Sequence, residues 1–472
     1  MTTASGTKTG VGACVLAAFG SVVNPGSGHL AVRGRVVAAT IAASVLNLAA
    51  TIGFLVIIAP VRGRADLADV VANRTVFLGL GLALAVMAIT RLYTAVDSAW
   101  LARPPADTRL RIGAAAIAGL LVVGGVAPLA IAANYVWEAD KAVEKVFGED
   151  AATTAMPTPL TTPATSVPGT ATSVVPTTTA PIFDGEKRVN VLLLGGDAGP
   201  GRPGLRTDSM IVISINSETG QTVIISIPRN MGNMPFPDGT DLAHRFPDGF
   251  DGLANAIYTY ADTHRDMVGG VDDAGVQAIK LSISQLLGIP INYYVLADMA
   301  GFVDIVDSLG GIDIDVPKRM PTPGNPRGSK HKVPKFIEKG QQHMDGTLAL
   351  AYARTRAADD DHHRMSRQQC LLGAVANAAT PMTLAFGFTD VVAAFGAAVT
   401  TDIPRSELGD FAKLIDRFLD AGGRDSVRTL QLSPPLVDAY RWKPAEIRQL
   451  VADAFLPVVI NIVDIPLLDD HC

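Results

Sequence analysis

Runs of apolar residues alternate with polar interruptions along the chain, and their lengths change abruptly about a third of the way in. Val36 to Pro60 carries no charged residue, Thr75 to Val96 carries only Arg91, and Ile112 to Trp137 again carries none. Each reaches the roughly 20 residues that a bilayer core requires, so the pattern predicts transmembrane helices over about 36–60, 75–96 and 112–137. The earlier apolar run, Gly10 to Val23, is shorter and ends in NPGSGHL. That fits a re-entrant or interfacial segment within 10–30, with a poorly formed fourth span as the alternative.

Beyond residue 187 the apolar runs shorten. RVNVLLLGG, SMIVISIN, QTVIISIP, INYYVLAD and GIDIDVP have strand character, and helical spacing appears at Val271 to Leu287 and in GFVDIVDSLG. This alternation predicts an α/β domain, a mixed central sheet flanked by helices. After residue 376 come further helical segments, among them SELGDFAKLIDRFL, and a strand in SVRTLQL. Completing the domain is the role expected of 376–472. Between membrane region and domain, Ala151 to Pro181 is a Thr/Pro/Ala/Ser tract without charge or period, so 150–182 is read as a tether.

Composition sharpens this division. The 472 residues are 48% hydrophobic and 18% charged, too apolar for a simple soluble enzyme. A net charge of -6 offers no general basic surface, which excludes ordinary nucleic-acid binding and confines any polyanion site to a local cluster. Lys8, Arg33 and Arg35 precede the first span, Arg91, Arg103, Arg109 and Arg111 border the second connection, and Glu138 and Asp140 follow the third; Arg62, Arg64 and Arg74 are the exception. The bias puts the N-terminus in the cytoplasm and the α/β domain outside. Cys14 falls in the membrane-associated part, while Cys370 is read as a core helix residue and any bond to Cys472 stays open.

Candidate chemistry sits where the predicted strands stop. NVLLLGGD delivers Asp197 after two glycines that would let backbone approach a substrate, LRTDSM holds Arg206 and Asp208 two apart on an extended segment, and IPRN places Arg229 after a strand. In DGTLALAYARTR, Asp345 reads as a helix N-cap with Arg354 near the end and Arg356 beyond it. In HRMSRQQC, Arg364, Arg367 and Gln368 share a helix face by their i, i+3, i+4 spacing. Like charges so arranged repel unless an anion lies between them, and guanidinium forks suit a diphosphate. Asp197 and Asp208 supply hard oxygens of the kind Mg²⁺ accepts.

Taken in order, NVLLLGGD, LRTDSMIVISI, VIISIPRN, LGIPINYYVLADMAGFVDIVDSLGGIDIDVP, MDGTLALAYARTR and DHHRMSRQQ resemble the LytR-CpsA-Psr family of bacterial cell-wall assembly proteins over about 187–375. The resemblance implies a multi-pass membrane protein with an extracytoplasmic catalytic domain. Its implied activity moves a glycopolymer from a polyprenyl-diphosphate carrier onto peptidoglycan through a phosphodiester and releases polyprenyl phosphate. It further implies Mg²⁺ or Mn²⁺ on Asp197 and Asp208, and diphosphate contacts from Arg206, Arg229, Arg354, Arg356, Asp361, Arg364, Arg367 and Gln368. Asp208, Arg229 and Arg364 are the implied catalytic set. Two departures stand out: Asn230 replaces the aspartate expected after IPR, leaving Arg229 without that orienting carboxylate, and DHHR replaces DFGR, with His362 and His363 read as solvated loop residues. A non-catalytic polyprenyl-phosphate-binding or regulatory envelope protein is the alternative.

Overall fold

The computed structural model describes residues 11–25, 27, 38–101, 108–147, 183, 186–196, 205–324, 332–355, 361–378, 394, 396 and 399–456. The chain divides into two compact units, Met1–Ala142 and Val143–Cys472. The tether read at 150–182, together with Asp197, Arg356 and Cys472, lies outside the described residues.

In the first unit, α1 (Val11–Val23), α2 (Ala38–Ile58), α3 (Arg64–Ala72), α4 (Arg74–Leu101) and α5 (Thr108–Phe147) follow one another. Three of them, over Thr40–Ile58, Arg74–Ser98 and Thr108–Phe147, are long and apolar enough to cross a membrane. The third predicted span is one continuous helix of 40 residues, about 60 Å at 1.5 Å per residue. Its last turns carry EADKAVEK and so continue as a polar helix. Helix α1 has 13 residues, too few to span.

Small residues let these helices approach closely, as expected where hydrophobic burial does not distinguish protein from lipid. Cys14 and Ala17 of α1 pack on Ala114 of α5. A Cβ on Gly125 would lie 2.0 Å from Val22 Cγ1, so glycine is required there. Two polar contacts cross between helices: the Ser21 and Ser98 hydroxyls are 3.1 Å apart, and Asn47 Nδ2 donates to Thr90 Oγ1 at 2.9 Å. Arg74 Nε meets Asp140 Oδ2 at 3.4 Å, joining the start of α4 to the late part of α5.

In the second unit, β1 (Arg188–Gly196), β2 (Thr207–Asn216) and β3 (Thr222–Ile227) form an antiparallel meander. After α6 (Ile257–Thr263) and α7 (Ala274–Leu287), β4 (Tyr293–Asp298) joins β1 in parallel. Next come α8 (Met299–Ser308), β5 (Ile312–Val316), β6 (Met320–Pro321), β7 (Phe336–Ile337), β8 (Gly340–Met344), α9 (Gly346–Arg354) and α10 (Asp361–Ala378). The chain closes with β9 (Val399–Thr401), α11 (Leu408–Asp420), β10 (Arg428–Gln431) and α12 (Pro444–Phe455).

The main sheet has the order β10-β3-β2-β1-β4-β9 and is mixed as expected. Both of its edges come from the last quarter of the chain. The strands read as nearly continuous apolar runs because both faces are covered. Leu192, Leu194, Met210, Val212 and Ile225 pack with Ile279 and Ile283 of α7 and Ile447 of α12, whereas Val191 packs with Leu414 of α11 and Ile211 with Leu372 of α10. A second core under β5 gathers Ile312, Ile314, Tyr352 and Leu371. Two buried charges lock the edges: Lys280 Nζ pairs with Asp402 Oδ2 at 2.5 Å, and Arg428 Nη1 donates to the Ala454 and Leu456 carbonyls at 2.8 and 2.7 Å. Cys370 is buried on α10 and is disulfide-bonded, so its role exceeds the core packing read from sequence.

Three spans with the N-terminus inside predict that a reporter active only outside the cytoplasm works when fused after Glu186, and that one active only inside works after Pro105. The opposite pattern would overturn the topology.

Candidate functional site

Strand direction, more than strand sequence, assembles the site. Because β2 runs antiparallel to β1, Thr207 at its start lies opposite Gly196 at the end of β1. Because β3 is antiparallel to β2, its end at Ile227 lies opposite Met210. Asp298 of β4 faces Gly196, and Gln431 of β10 faces Ser226. One end of the sheet therefore collects Asp208, Arg229, Asp298 and Gln431. Asp208 stands at a strand's start and not, as its neighbours do, at or just past a strand's end; antiparallel pairing is what brings it there.

The glycines at this edge have protein neighbours already. A Cβ on Gly195 would lie 2.9 Å from Ser209 Cβ, and one on Gly196 would lie 2.8 Å from Leu205 Cδ1. Close approach of β2 and its lead-in demands them, so the reading that reserves them for a substrate is not needed to explain them. Thr259 of α6 donates to the Leu205 carbonyl at 2.7 Å, fixing the entry to β2. Arg206 sits exposed on that entry.

Arg229 Nη1 donates to Asp208 Oδ1 at 2.7 Å, with side-chain exposures of 26% and 32%. The guanidinium expected to lack an orienting carboxylate because of Asn230 thus finds one two strands back in the sequence. Asn255, in a 3-10 turn at Ala254–Ala256, donates through Nδ2 to the same oxygen at 3.2 Å. Oδ2 receives no hydrogen bond from the described residues. Burial opposes ionisation of Asp208, yet the Arg229 hydrogen bond and charge, the Asn255 amide and the charge of Arg364 together hold its carboxyl below the usual range.

Helix α10 carries the arginine cluster and is packed, not solvated: Arg364 is 4% exposed and Arg367 5%. The two differ in what they touch. Arg364 acts on Asp208 through its charge. Arg367 donates from Nε to the Tyr352 carbonyl at 3.2 Å and from Nη2 to the Thr355 carbonyl at 2.5 Å, and its guanidinium lies 5.8 Å from the Tyr352 ring centroid. It closes the C-terminal end of α9, so two donor groups assigned to the diphosphate by resemblance serve the backbone. Asp345 caps the other end of α9 as predicted, accepting from Leu348 N at 2.8 Å. Arg354 lies half-buried in the last turn of α9, Gln368 half-buried on α10, and Asp361 in the first turn of α10. His362 and His363 belong to that first turn, correcting their placement in a loop, and His363 is exposed.

The sequence reading missed two residues. Asn255 lies in LANAIYTYAD, where an isolated amide among apolar residues is the only signal. Gln369, 0% exposed, donates to Ser226 Oγ at 2.8 Å and accepts from Gln431 Nε2 at 3.1 Å, while Gln431 also donates to Ser366 Oγ at 2.9 Å. This buried amide chain ties α10 to β3 three residues before Arg229. Its cue was present in the second glutamine of RQQ, one position round the helix from Gln368.

Two outcomes follow for stability. The depressed Asp208 value means that its ion pair contributes above the ordinary carboxylate pKa of about 3.9 and is lost as pH falls through the folded value. Arg229→Gln leaves a partly buried carboxylate without its cation, so acid unfolding followed by circular dichroism should begin at higher pH than in wild type. Arg367→Ala should lower stability by about 1–3 kcal/mol at neutral pH in urea unfolding, because the carbonyls at the end of α9 lose their donor.

Comparison with known proteins gives the same frame. The profile of the LytR_cpsA_psr family matches residues 161–443. Among curated proteins, the chain is 29% identical over 228 residues to the polyisoprenyl-teichoic acid–peptidoglycan teichoic acid transferase TagU of Bacillus cereus (strain AH820), covering 48% of this chain and 64% of that relative. It is equally 29% identical over 227 residues to the protein of the same name from Bacillus mycoides (strain KBAB4). Among solved structures, B. subtilis TagV is 25% identical with a TM-score of 0.41, covering 57% of this chain and 97% of that one. The family profile spans more than half of the sequence, and the chain belongs to the LytR_cpsA_psr family.

Proposed function

We propose that this protein is a membrane-anchored, extracytoplasmic phosphotransferase that ligates a glycopolymer from a polyprenyl-diphosphate carrier to peptidoglycan. The observation that carries the reading is Asp208, held ionised at one end of the sheet by Arg229 with the buried Arg364 close enough to act on it. Such a site suits a polyanion whose charge must be neutralised while a phosphorus–oxygen bond changes partners. Family membership and the names of the TagU relatives support the same substrate class.

In the proposed reaction a hydroxyl oxygen of the acceptor sugar attacks the phosphorus that bears the glycopolymer. The bond from that phosphorus to the bridging oxygen breaks, polyprenyl phosphate leaves with that oxygen, and the hydroxyl proton passes to solvent. Asp208, with its carboxyl held low, is a poor proton acceptor and a good oxygen ligand. Its Oδ2 is the atom on offer, which fits a cation that takes one or two carboxylates and completes its shell with water and phosphate. Asp208 and Asp197 would hold Mg²⁺ or Mn²⁺. The bound ion would neutralise charge on the diphosphate oxygens. The charges of Arg364 and Arg229 both bear on Asp208, and Arg206, Arg354, Arg356, Asp361 and Gln368 remain the further diphosphate candidates.

The test is ligation by the purified full chain in detergent, supplied with a polyprenyl-diphosphate oligosaccharide, peptidoglycan fragments and Mg²⁺. Formation of a ligated product with free polyprenyl phosphate is expected, and Asp208→Asn and Arg364→Lys should each lose about a hundredfold or more in rate. Lipid binding without product in wild type would instead leave a non-catalytic carrier-binding protein.

A further inference from the structure

We infer that Asn255 is a positioning residue of this site, which fixes the Asp208 carboxylate so that Oδ2, and not Oδ1, faces the reacting groups; the inference rests on the phosphotransferase reading above. Its side chain and backbone act on both members of the ion pair. Nδ2 donates to Asp208 Oδ1 at 3.2 Å, and its backbone N–H donates to the Arg229 carbonyl at 3.1 Å. The neighbouring residues repeat the pattern: Ala254 N donates to the Met231 carbonyl at 2.8 Å, and Leu253 bridges Gly232. Trp442 Nε1 closes the far side by donating to the Gly232 carbonyl at 3.0 Å. The segment that leaves β3 with Arg229 is thereby sewn to the 3-10 turn that carries Asn255.

The need for a second donor follows from the geometry of a carboxylate. One ion pair at one oxygen leaves the group free to turn about its last torsion, a broad one for aspartate. Arg229 and Asn255 converge on the same oxygen from different elements, and together they set the plane of the group. A neutral amide does this without adding positive charge, so the field of Arg229 and Arg364 stays directed at the substrate. Asn255 is 9% exposed, so its amide is held in place by protein and not by solvent, although the Asp208 side chain itself is 32% exposed. Orienting residues of this kind commonly carry ten- to hundredfold effects on function, roughly, without touching substrate.

The experiment compares four full-length proteins in detergent for thermal unfolding and for ligation kinetics: wild type, Asn255→Ala, Asn255→Asp, and the swap Asp208→Asn with Asn255→Asp. Aspartate has the shape of asparagine but turns a donor into a repelling carboxylate. A positioning role predicts that Asn255→Asp is worse than Asn255→Ala in kcat, with both reduced about tenfold or more and KM for the lipid diphosphate nearly unchanged. It predicts no recovery of activity in the swap, in which an amide N–H of residue 208 facing the carboxylate introduced at position 255 would also face the Arg229 guanidinium that donates to that same position in wild type. A packing role predicts the reverse order, with Asn255→Asp close to wild type, and that result overturns the inference, as does a swap that regains wild-type activity. If wild type itself transfers nothing, the phosphotransferase reading falls and the positioning role falls with it, an outcome told apart from the others by the wild-type baseline.

Discussion

The ion pair between Arg229 and Asp208 is the interaction on which this domain's arrangement turns. Its partners come from different strands, and they meet only because β1, β2 and β3 form an antiparallel meander whose turns are short enough to keep neighbouring ends together. A partly buried carboxylate is costly unless it is paired and hydrogen-bonded. Around this one, the fold supplies a guanidinium, an amide and the charge of a second guanidinium from α10. Each supporter is itself held by something else: Arg229 by the 3-10 turn, α10 by the Gln369 network, the lead-in to β2 by Thr259. The polar constellation therefore inherits its precision from the packed sheet beneath it.

The arginines of α10 illustrate how two identical side chains, one helical turn apart, come to do different work. Arg367 faces the end of α9 and satisfies carbonyls that a helix leaves without partners. Arg364 lies where its charge acts on Asp208. Burial of both makes them part of the framework, so a substitution at either position reports on folding first.

The first unit, with its three helices long and apolar enough to cross a membrane, packs by different rules. Its long helices carry extended apolar runs, and contact depends on small residues and on shared hydroxyl and amide groups, as at Gly125 against Val22 and Asn47 against Thr90. The polar stretch that ends α5 continues the helix past Trp137 because EADKAVEK has good helix formers and no breaker. Where the apolar run stops and where the helix stops are separate questions, and only the first is answered by hydropathy.

The elements of this protein were legible in its sequence for a simple reason. Period-two and period-3.6 burial are local properties, so the apolar runs at 188–196, 207–216 and 222–227, the helix at 274–287 and the Asp345 cap all appear in the structure near their expected places. The motifs also marked Asp208, Arg229 and Arg364 as residues of interest. What no local pattern could decide was partnership. That Asp208 pairs with Arg229, that Asn255 shares its oxygen, that Arg367 serves a helix end and that the last quarter of the chain supplies both sheet edges depend on strand order and direction. Those are set by contacts between residues far apart in sequence, and a side chain's hydrogen-bond partner is chosen by the space it reaches and not by its neighbours in the chain.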